Sequence, residues 1–313
     1  MRIFDRARHS MTLMVLVTFF VASGVTFAAP AQASGTPTAE IANGSFAAPT
    51  PTIAGTARVA QPLTATPGNW VPSPESFRYQ WYRAGVSIEG ATAATYTPTA
   101  SDLWEALSVT VTGSKSGYST VSKTSAPTAA VGQGSLIKST PTITGTPKVG
   151  TPLTADPGVW GPGEVTHGYV WYRSGTLIYG ANSATYTPVT KDLGAVLTVL
   201  VIGRKPGFLT YGRTSAPTAK VVRGSLIRST PTITGAAKVG STLTANPGTW
   251  GPSPVALRYQ WYRSGVAIAW ANAATYTLST TDAGETLTVK VTGSKSGYTA
   301  ISRTSAPTAA VAK

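Results

Sequence analysis

The chain has 313 residues, 25 Lys+Arg against 11 Asp+Glu, a formal net charge of +14 and no cysteine. A chain without cysteine has no disulfide scaffold, so its folded part must be held by apolar cores alone. The charges are dispersed, with no run of five or more, which excludes a dedicated nucleic-acid groove but leaves general affinity for polyanions.

Residues 1–33 read as an export signal. Arg2, Arg6 and Arg8 supply a basic start, Met11 to Ala28 is uncharged and apolar, and Ala31-Gln32-Ala33 has the small-x-small cleavage pattern. Eighteen apolar residues would also just suffice for a membrane span. The cleavage pattern comes directly after them, without a stop-transfer cluster, and decides for the signal, so no span is expected in the mature chain. That chain begins at Ser34; the segment removed holds three arginines and one aspartate, and its loss leaves +12.

Residues 34–49 resemble a linker, with Gly44-Ser45-Phe46 in linker phase and Phe46 expected to dock on the first folded domain. Beyond them the sequence repeats. Thr50-Pro51-Thr52-Ile53 returns as Thr140-Pro141-Thr142-Ile143 and Thr230-Pro231-Thr232-Ile233, a period of 90 residues without insertion or deletion. Trp70, Trp160 and Trp250 keep that spacing, as do Trp81, Trp171 and Trp261. The period is too long for a solenoid unit and suits a small sandwich domain. It predicts domains at 50–131, 140–221 and 230–313, joined by linkers 132–139 and 222–229. Each linker carries a Leu-Ile pair (Leu136-Ile137, Leu226-Ile227), expected to pack at the joint, limit bending and make the array a semi-rigid rod.

Within the third copy, strands are expected at Thr242–Ala245, Arg258–Arg263, Thr275–Thr277 and Leu287–Val291, with a last one around Ile301. Leu287-Thr288-Val289-Lys290-Val291 alternates as a half-buried strand does. A Trp in Tyr259-Gln260-Trp261-Tyr262-Arg263, with Asp282-Ala283-Gly284 about twenty residues on and then that alternating strand, resembles the immunoglobulin pattern. The resemblance implies an all-β fold of three tandem immunoglobulin-like sandwiches, with Trp261 on a central strand. Leu243 and Val289 stand where the family's paired cysteines would be, and the corner tyrosine has no clear counterpart. More closely, the repeat is similar to immunoglobulin-like repeats of secreted actinobacterial proteins, which serve as spacers, adhesive modules or wall-targeting modules.

Catalytic signals are missing. His167 is the one histidine after the signal, and Phe77 and Leu257 replace it in the other copies. The acidic residue common to all copies, Asp102, Asp192 and Asp282, is expected to hold a turn by an Asx-type hydrogen bond. Ser135-Leu136-Ile137-Lys138 fits a Ser-x-x-Lys string but lies in a linker, with Arg228 where its repeat would need Lys. No cofactor or metal motif is present, and the chain reads as non-enzymatic.

Three groups of residues remain as interaction candidates. In the middle copy, alternation puts Val170, Tyr172, Leu200 and Ile202 on one outer face beside Tyr179 and Tyr211. The sibling copies have Gln80, Thr110 and Thr112, or Gln260, Lys290 and Thr292, at the corresponding outward positions. Such an apolar strip marks an interface with a protein partner or a second copy, or is covered by a neighbouring loop. Trp104 and Trp270 stand at turns where sibling copies have glycine, and suit stacking on sugar rings or a protein partner. Lys115 with Tyr118, Lys205 with Phe208 and Lys295 with Tyr298 form a repeated cation–aromatic hairpin tip, suited to an anionic wall polymer or glycan unless the aromatic folds back on its sandwich. Two functions stay open: an extracellular binding, adhesion or spacer array, and a wall-polymer or carbohydrate-targeting module derived from a hydrolase tail. With no sorting motif or C-terminal apolar anchor, attachment to a wall would be non-covalent.

Overall fold

The computed structural model describes residues 43–313, so the export-signal reading and most of segment 34–49 lie outside the described residues. Gly44–Lys313 is one compact unit. It contains three tandem immunoglobulin-like sandwiches, and nothing helical beyond single 3₁₀ turns is found among the described residues.

In domain 1 the strands are β1 (Thr52–Ala54), β2 (Leu63–Thr66), β3 (Ser76–Arg83), β4 (Val86–Ser87), β5 (Thr95–Tyr96), β6 (Leu107–Ser114) and β7 (Val121–Thr124). They form a three-stranded sheet, β1-β2-β5, facing a four-stranded sheet, β4-β3-β6-β7, and the same orders recur in the other domains. All pairs within these sheets are antiparallel, so one face of each can be packed and the other wet. Accordingly β6 alternates between buried and half-buried residues, as do its counterparts Leu197–Arg204, up to the exposed Arg204, and Leu287–Ser294.

Trp81, Trp171 and Trp261 are fully buried at the centre of the sandwiches. Each indole N–H donates to a backbone carbonyl, of Ala93, Ser183 and Ala273, at 2.9–3.0 Å. That bond meets the one polar demand of an otherwise apolar anchor. Leu243 and Val289 lie in one buried cluster with Trp261, filling the core with aliphatic packing in place of a cross-link. The second tryptophan caps the other end of the core. A Cβ on Gly113 would lie 2.6 Å from the Trp70 ring and one on Gly203 2.5 Å from Trp160, so glycine there lets the indole lie on the strand.

The two-residue strands β4, Val86–Ser87, and its counterparts Thr176–Leu177 and Val266–Ala267 have no legible period and emerge only from their pairing with the adjoining long strand. The linkers also differ from the expectation. Ile137–Lys138 and Ile227–Arg228 form short strands against Trp160–Gly161 and Trp250–Gly251. This alternation splits each Leu-Ile pair: Leu136 and Leu226 are buried, whereas Ile137 and Ile227 point into solvent.

Each sandwich has two ends that matter for the joints. The tip is the turn between β6 and β7, Lys115–Thr120 in domain 1. The base combines the turn between β1 and β2, including Arg58-Val59-Ala60, with the 3₁₀ turn Ala100–Asp102. The tip of domain 2 meets the base of domain 1, with linker residue Gly134 between them. Gly134 N–H donates to the Gly207 carbonyl at 2.9 Å, and Leu209 N–H to the Gly134 carbonyl at 3.0 Å. A side chain at Gly134 would meet both the Phe208 ring and the Val59 carbonyl at 2.7 Å. The tip of domain 3 meets the base of domain 2 in the same way around Gly224, between the Tyr298 ring and the Val149 carbonyl.

Candidate interaction surfaces

The buried charges hold the fold. Asp102, Asp192 and Asp282 have no exposed surface, and each accepts from the arginine two residues after the central Trp: Arg83 Nε at 2.8 Å, Arg173 and Arg263 Nε at 2.6 Å. Tyr96 and Tyr186 hydroxyls donate to the same carboxylates at 2.8 Å, and Tyr276 at 3.1 Å. The backbone N–H of Thr99, Val189 or Ser279 closes the 3₁₀ turn onto the carboxylate. The aspartate therefore does more than an Asx turn: it ties three separate stretches of chain together. At Asp102 and Asp282 burial pushes the pKa up, but the turn N–H, the tyrosine, the arginine and the Thr99 or Ser279 hydroxyl outweigh it and hold it below the ordinary aspartate value. Burial, then the bond to Asp192, pushes Tyr186 up to about 12. His167 sits edge-on to Trp160 at 5.5 Å, filling the site that Phe77 occupies against Trp70. Among the described residues no three His, Cys, Asp or Glu side chains cluster as a metal site, and no helix is long and apolar enough to cross a membrane.

The outer face of the middle four-stranded sheet differs from that of its siblings. Val170 pairs with Leu200 and Gly168 with Ile202 across the central strands, while Tyr172 pairs with Leu177 on the short edge strand. The strip is thus Leu177, Tyr172, Val170, Leu200 and Ile202. Gly168 and Gly212 flank Ile202 where the siblings carry Arg78 and Ser122, or Arg258 and Ser302. Leu200 leans across Gly212, so glycine leaves room for it. Leu177 escaped the sequence reading because the facing of a two-residue strand is set by its pairing. Gln80 and Gln260, at the position of Val170, each donate to two backbone carbonyls, a bond pair the middle domain lacks.

Tyr211 does not belong to the strip. It pairs with inward-facing Gly203, packs toward the core, and carries the Lys138 ammonium 3.4 Å from its ring centroid. Tyr179 is 98% exposed and lies at the opposite edge of the sheet, just beyond the short strand.

Trp104 and Trp270 are 66% and 91% exposed. Both have left-handed backbones, φ +69° and +65°, where Gly194, Gly284, Gly90 and Gly180 stand in the sibling domains. Here a side chain other than glycine's is strained, and the strained residue is a solvated indole.

The hairpin-tip candidates separate by domain. Phe208 and Tyr298 are only 6% and 9% exposed because they fill the two joints, so neither ring is open to a polymer. Lys205 and Lys295 lie 5.8 and 5.9 Å from those ring centroids and donate to nearby carbonyls, of Glu164 and of Ser253 and Pro254. Tyr118, which meets no other domain among the described residues, packs on Phe46 at 5.3 Å, while Lys115 donates to the Ser73 carbonyl at 3.5 Å.

No family model matches the chain, and no curated protein does. Among solved structures it is similar to the three N-terminal domains of the Highly Immunogenic Outer Capsid protein of bacteriophage RB49, at 16% identity and TM-score 0.26, covering 84% of this chain and 97% of that one. It is also similar to a Ca²⁺-stabilised adhesin with which an Antarctic bacterium binds ice, at 12% identity and TM-score 0.31, over 85% and 74%. The chicken CNTN1 FN1–FN3 domains give 12% identity and TM-score 0.21, over 85% and 98%. At these scores the sandwich assignment rests on the chain's own strand orders.

Proposed function

We propose that the chain is a secreted, non-catalytic immunoglobulin-like array of the actinobacterial surface-repeat kind, which spaces and presents a protein-binding face on its middle domain. The observation that carries this reading is the Leu177–Tyr172–Val170–Leu200–Ile202 strip. Tyr172 is common to all three domains (Tyr82, Tyr262), but the other four positions are filled in the flanking domains with Gln, Thr, Ser, Ala and Lys; Leu177 is exposed and the remaining strip residues are half-buried. Burying such side chains gains roughly 25 cal/mol per Å², before the costs of association. The test is Leu200→Thr with Ile202→Thr, which copies domain 1. The double variant should melt like the wild type and lose retention of the purified chain on bacterial surface fractions. Equal retention, or loss of folding, would overturn the reading.

A second reading, attachment to wall polymer or glycan, is supported by the two exposed tryptophans. At about 1 kcal/mol or more of backbone strain each, Trp104 and Trp270 are expensive decorations unless they contact something. Trp104→Gly with Trp270→Gly should raise stability and abolish binding to purified wall polysaccharide. Electrostatic attachment should instead weaken steeply with salt. Binding insensitive to both would remove this reading.

A further inference from the structure

We infer that the chain associates head to tail: the tip of domain 1 in one copy docks on the base of domain 3 in another, repeating the joint between domains 2 and 3.

The two joints inside the chain are of different kinds. The base of domain 1 offers Arg58, Ala60 and Ala100, and the tip it receives brings Ser135, Pro206 and Phe208. The base of domain 2 offers Lys148, Gly150 and Thr190, and the tip it receives brings Ser225, Ser296 and Tyr298. Here Lys148 Nζ donates to Ser225 Oγ at 2.7 Å, and Thr190 Oγ1 donates to the Ser296 carbonyl at 3.2 Å. The Tyr298 hydroxyl fills the place where Gly150 would carry a Cβ. Side-chain size thus sorts the joints: Phe goes with Ala, and Tyr, one oxygen longer, goes with Gly.

The base of domain 3, which no other domain covers among the described residues, carries Lys238, Gly240 and Thr280. The tip of domain 1, likewise uncovered by another domain among the described residues, carries Ser45, Ser116 and Tyr118. All three pairs are of the second kind, and none is of the first.

Both halves are already assembled. At the tip, Gly44 N–H donates to the Gly117 carbonyl at 2.8 Å and Ser119 N–H to the Gly44 carbonyl at 2.9 Å, the bonds that Gly134 and Gly224 make in the joints. At the base, Val239 N–H donates to the Ala312 carbonyl and Gly240 N–H to the Leu278 carbonyl, both at 2.9 Å, as Val149 and Gly150 do with Val222 and Pro188. What differs is cover. Val59 and Val149 are 3% and 4% exposed, whereas Val239 is only half-buried. A Cβ on Gly207 or Gly297 would press on the domain below, whereas one on Gly117 meets nothing within 4 Å; the same contrast holds between Gly150 and Gly240. A tip-to-base contact is heterologous, so it extends without closing unless the rotation forms a ring. Lacking the covalent linker that raises effective concentration in the internal joints, it is a weak contact, strengthened by crowding on a surface.

The test uses the chain from Ser34 to Lys313 in sedimentation velocity from micromolar to millimolar concentration. The wild type should form open-ended oligomers as concentration rises. Gly240→Ala, which places a methyl against the incoming Tyr118 hydroxyl, should shift that rise at least tenfold upward; the chain should still fold, with a melt lowered only by the left-handed strain that Ala60 already bears in domain 1. Adding Tyr118→Phe recreates the Ala–Phe pairing and should restore association. Covalent trapping gives a measurement independent of affinity. Thr190 Cβ lies 3.2 Å from the position of a Cβ on Gly297, close to disulfide geometry, so Gly117→Cys with Thr280→Cys should give an oxidised ladder in this cysteine-free chain. A wild type monomeric throughout, a Gly240→Ala chain that associates unchanged, or no ladder while Thr190→Cys with Gly297→Cys closes internally, would each overturn the inference. Association lost in Leu200→Thr/Ile202→Thr but not in Gly240→Ala would assign it to the middle-domain face instead.

Discussion

The inward and outward sides of the four-stranded sheets obey different rules. Inward, Trp81, Trp171 and Trp261 are matched by Val109, Val199 and Val289 across the pair of central strands, the same residue types in every domain. Outward, one row reads Gln80–Thr110, Val170–Leu200 and Gln260–Lys290. Close packing leaves one solution on the inside, where a change of even a methylene is felt. Water imposes no such demand on the outside, so a departure there is not dictated by the core: the inner side records how the chain folds, and the outer side is where the domains diverge.

The largest effect on this contrast is expected from Trp261→Ala. Removing a fully buried indole and its bond to the Ala273 carbonyl should destabilise domain 3 by roughly 3–5 kcal/mol. Lys290→Leu, one residue beyond inward Val289 and on the opposite face, should change stability by less than about 0.5 kcal/mol. Thermal melts of the two variants compare the faces directly, and similar losses would erase the distinction.

A smaller effect is expected at the buried ion pair. Asp282→Asn leaves Arg263 without its counter-charge and should cost roughly 2–3 kcal/mol, under the fully buried range because Arg263 keeps 30% of its side chain in water. The same substitution should alter the acid response. A carboxylate held below its ordinary value of 3.8 contributes stability that is full above that pH and is lost as pH falls through the folded-state value. Denaturant melts between pH 7 and pH 2 should therefore show a steep acid loss in the wild type and a flatter one in Asp282→Asn. Tyr186 acts with the opposite sign: its contribution is full below 10.0 and is lost toward about 12.

The smallest effect tests the outer face itself. Val170→Gln should regain the two carbonyl bonds that Gln80 makes at 2.9 and 2.8 Å, raising the middle domain's stability by about 0.5–1 kcal/mol and its melt by a few degrees. An unchanged or lower melt would mean that Val170 is held by packing and that the strip belongs to the fold.

Much of the architecture is readable from residues alone, and for physical reasons. The 90-residue period, the buried tryptophans and the alternation of Leu287–Val291 are local signals, because strand geometry sends successive side chains to opposite faces whatever surrounds them. The same rule places Val170, Tyr172, Leu200 and Ile202 outward. Tyr211 departs from it because its facing depends on its register against Gly203, and Leu177 is invisible to it because two residues carry no period. The Arg83–Asp102–Tyr96 tie is illegible in the string because it joins side chains 6 and 19 residues apart through a turn that only folding brings together.

The joints mark the boundary most clearly. The string Lys-x-Gly-aromatic is nearly the same in all three copies, so no reading of the string could tell buried Phe208 and Tyr298 from half-buried Tyr118. Residue order alone sets the sandwiches, their succession along the chain and their inward faces, because those depend on backbone periodicity and the burial of apolar side chains. Which tips are covered is settled only when the domains pack, since a side chain's exposure at a domain end depends on the neighbour placed against it.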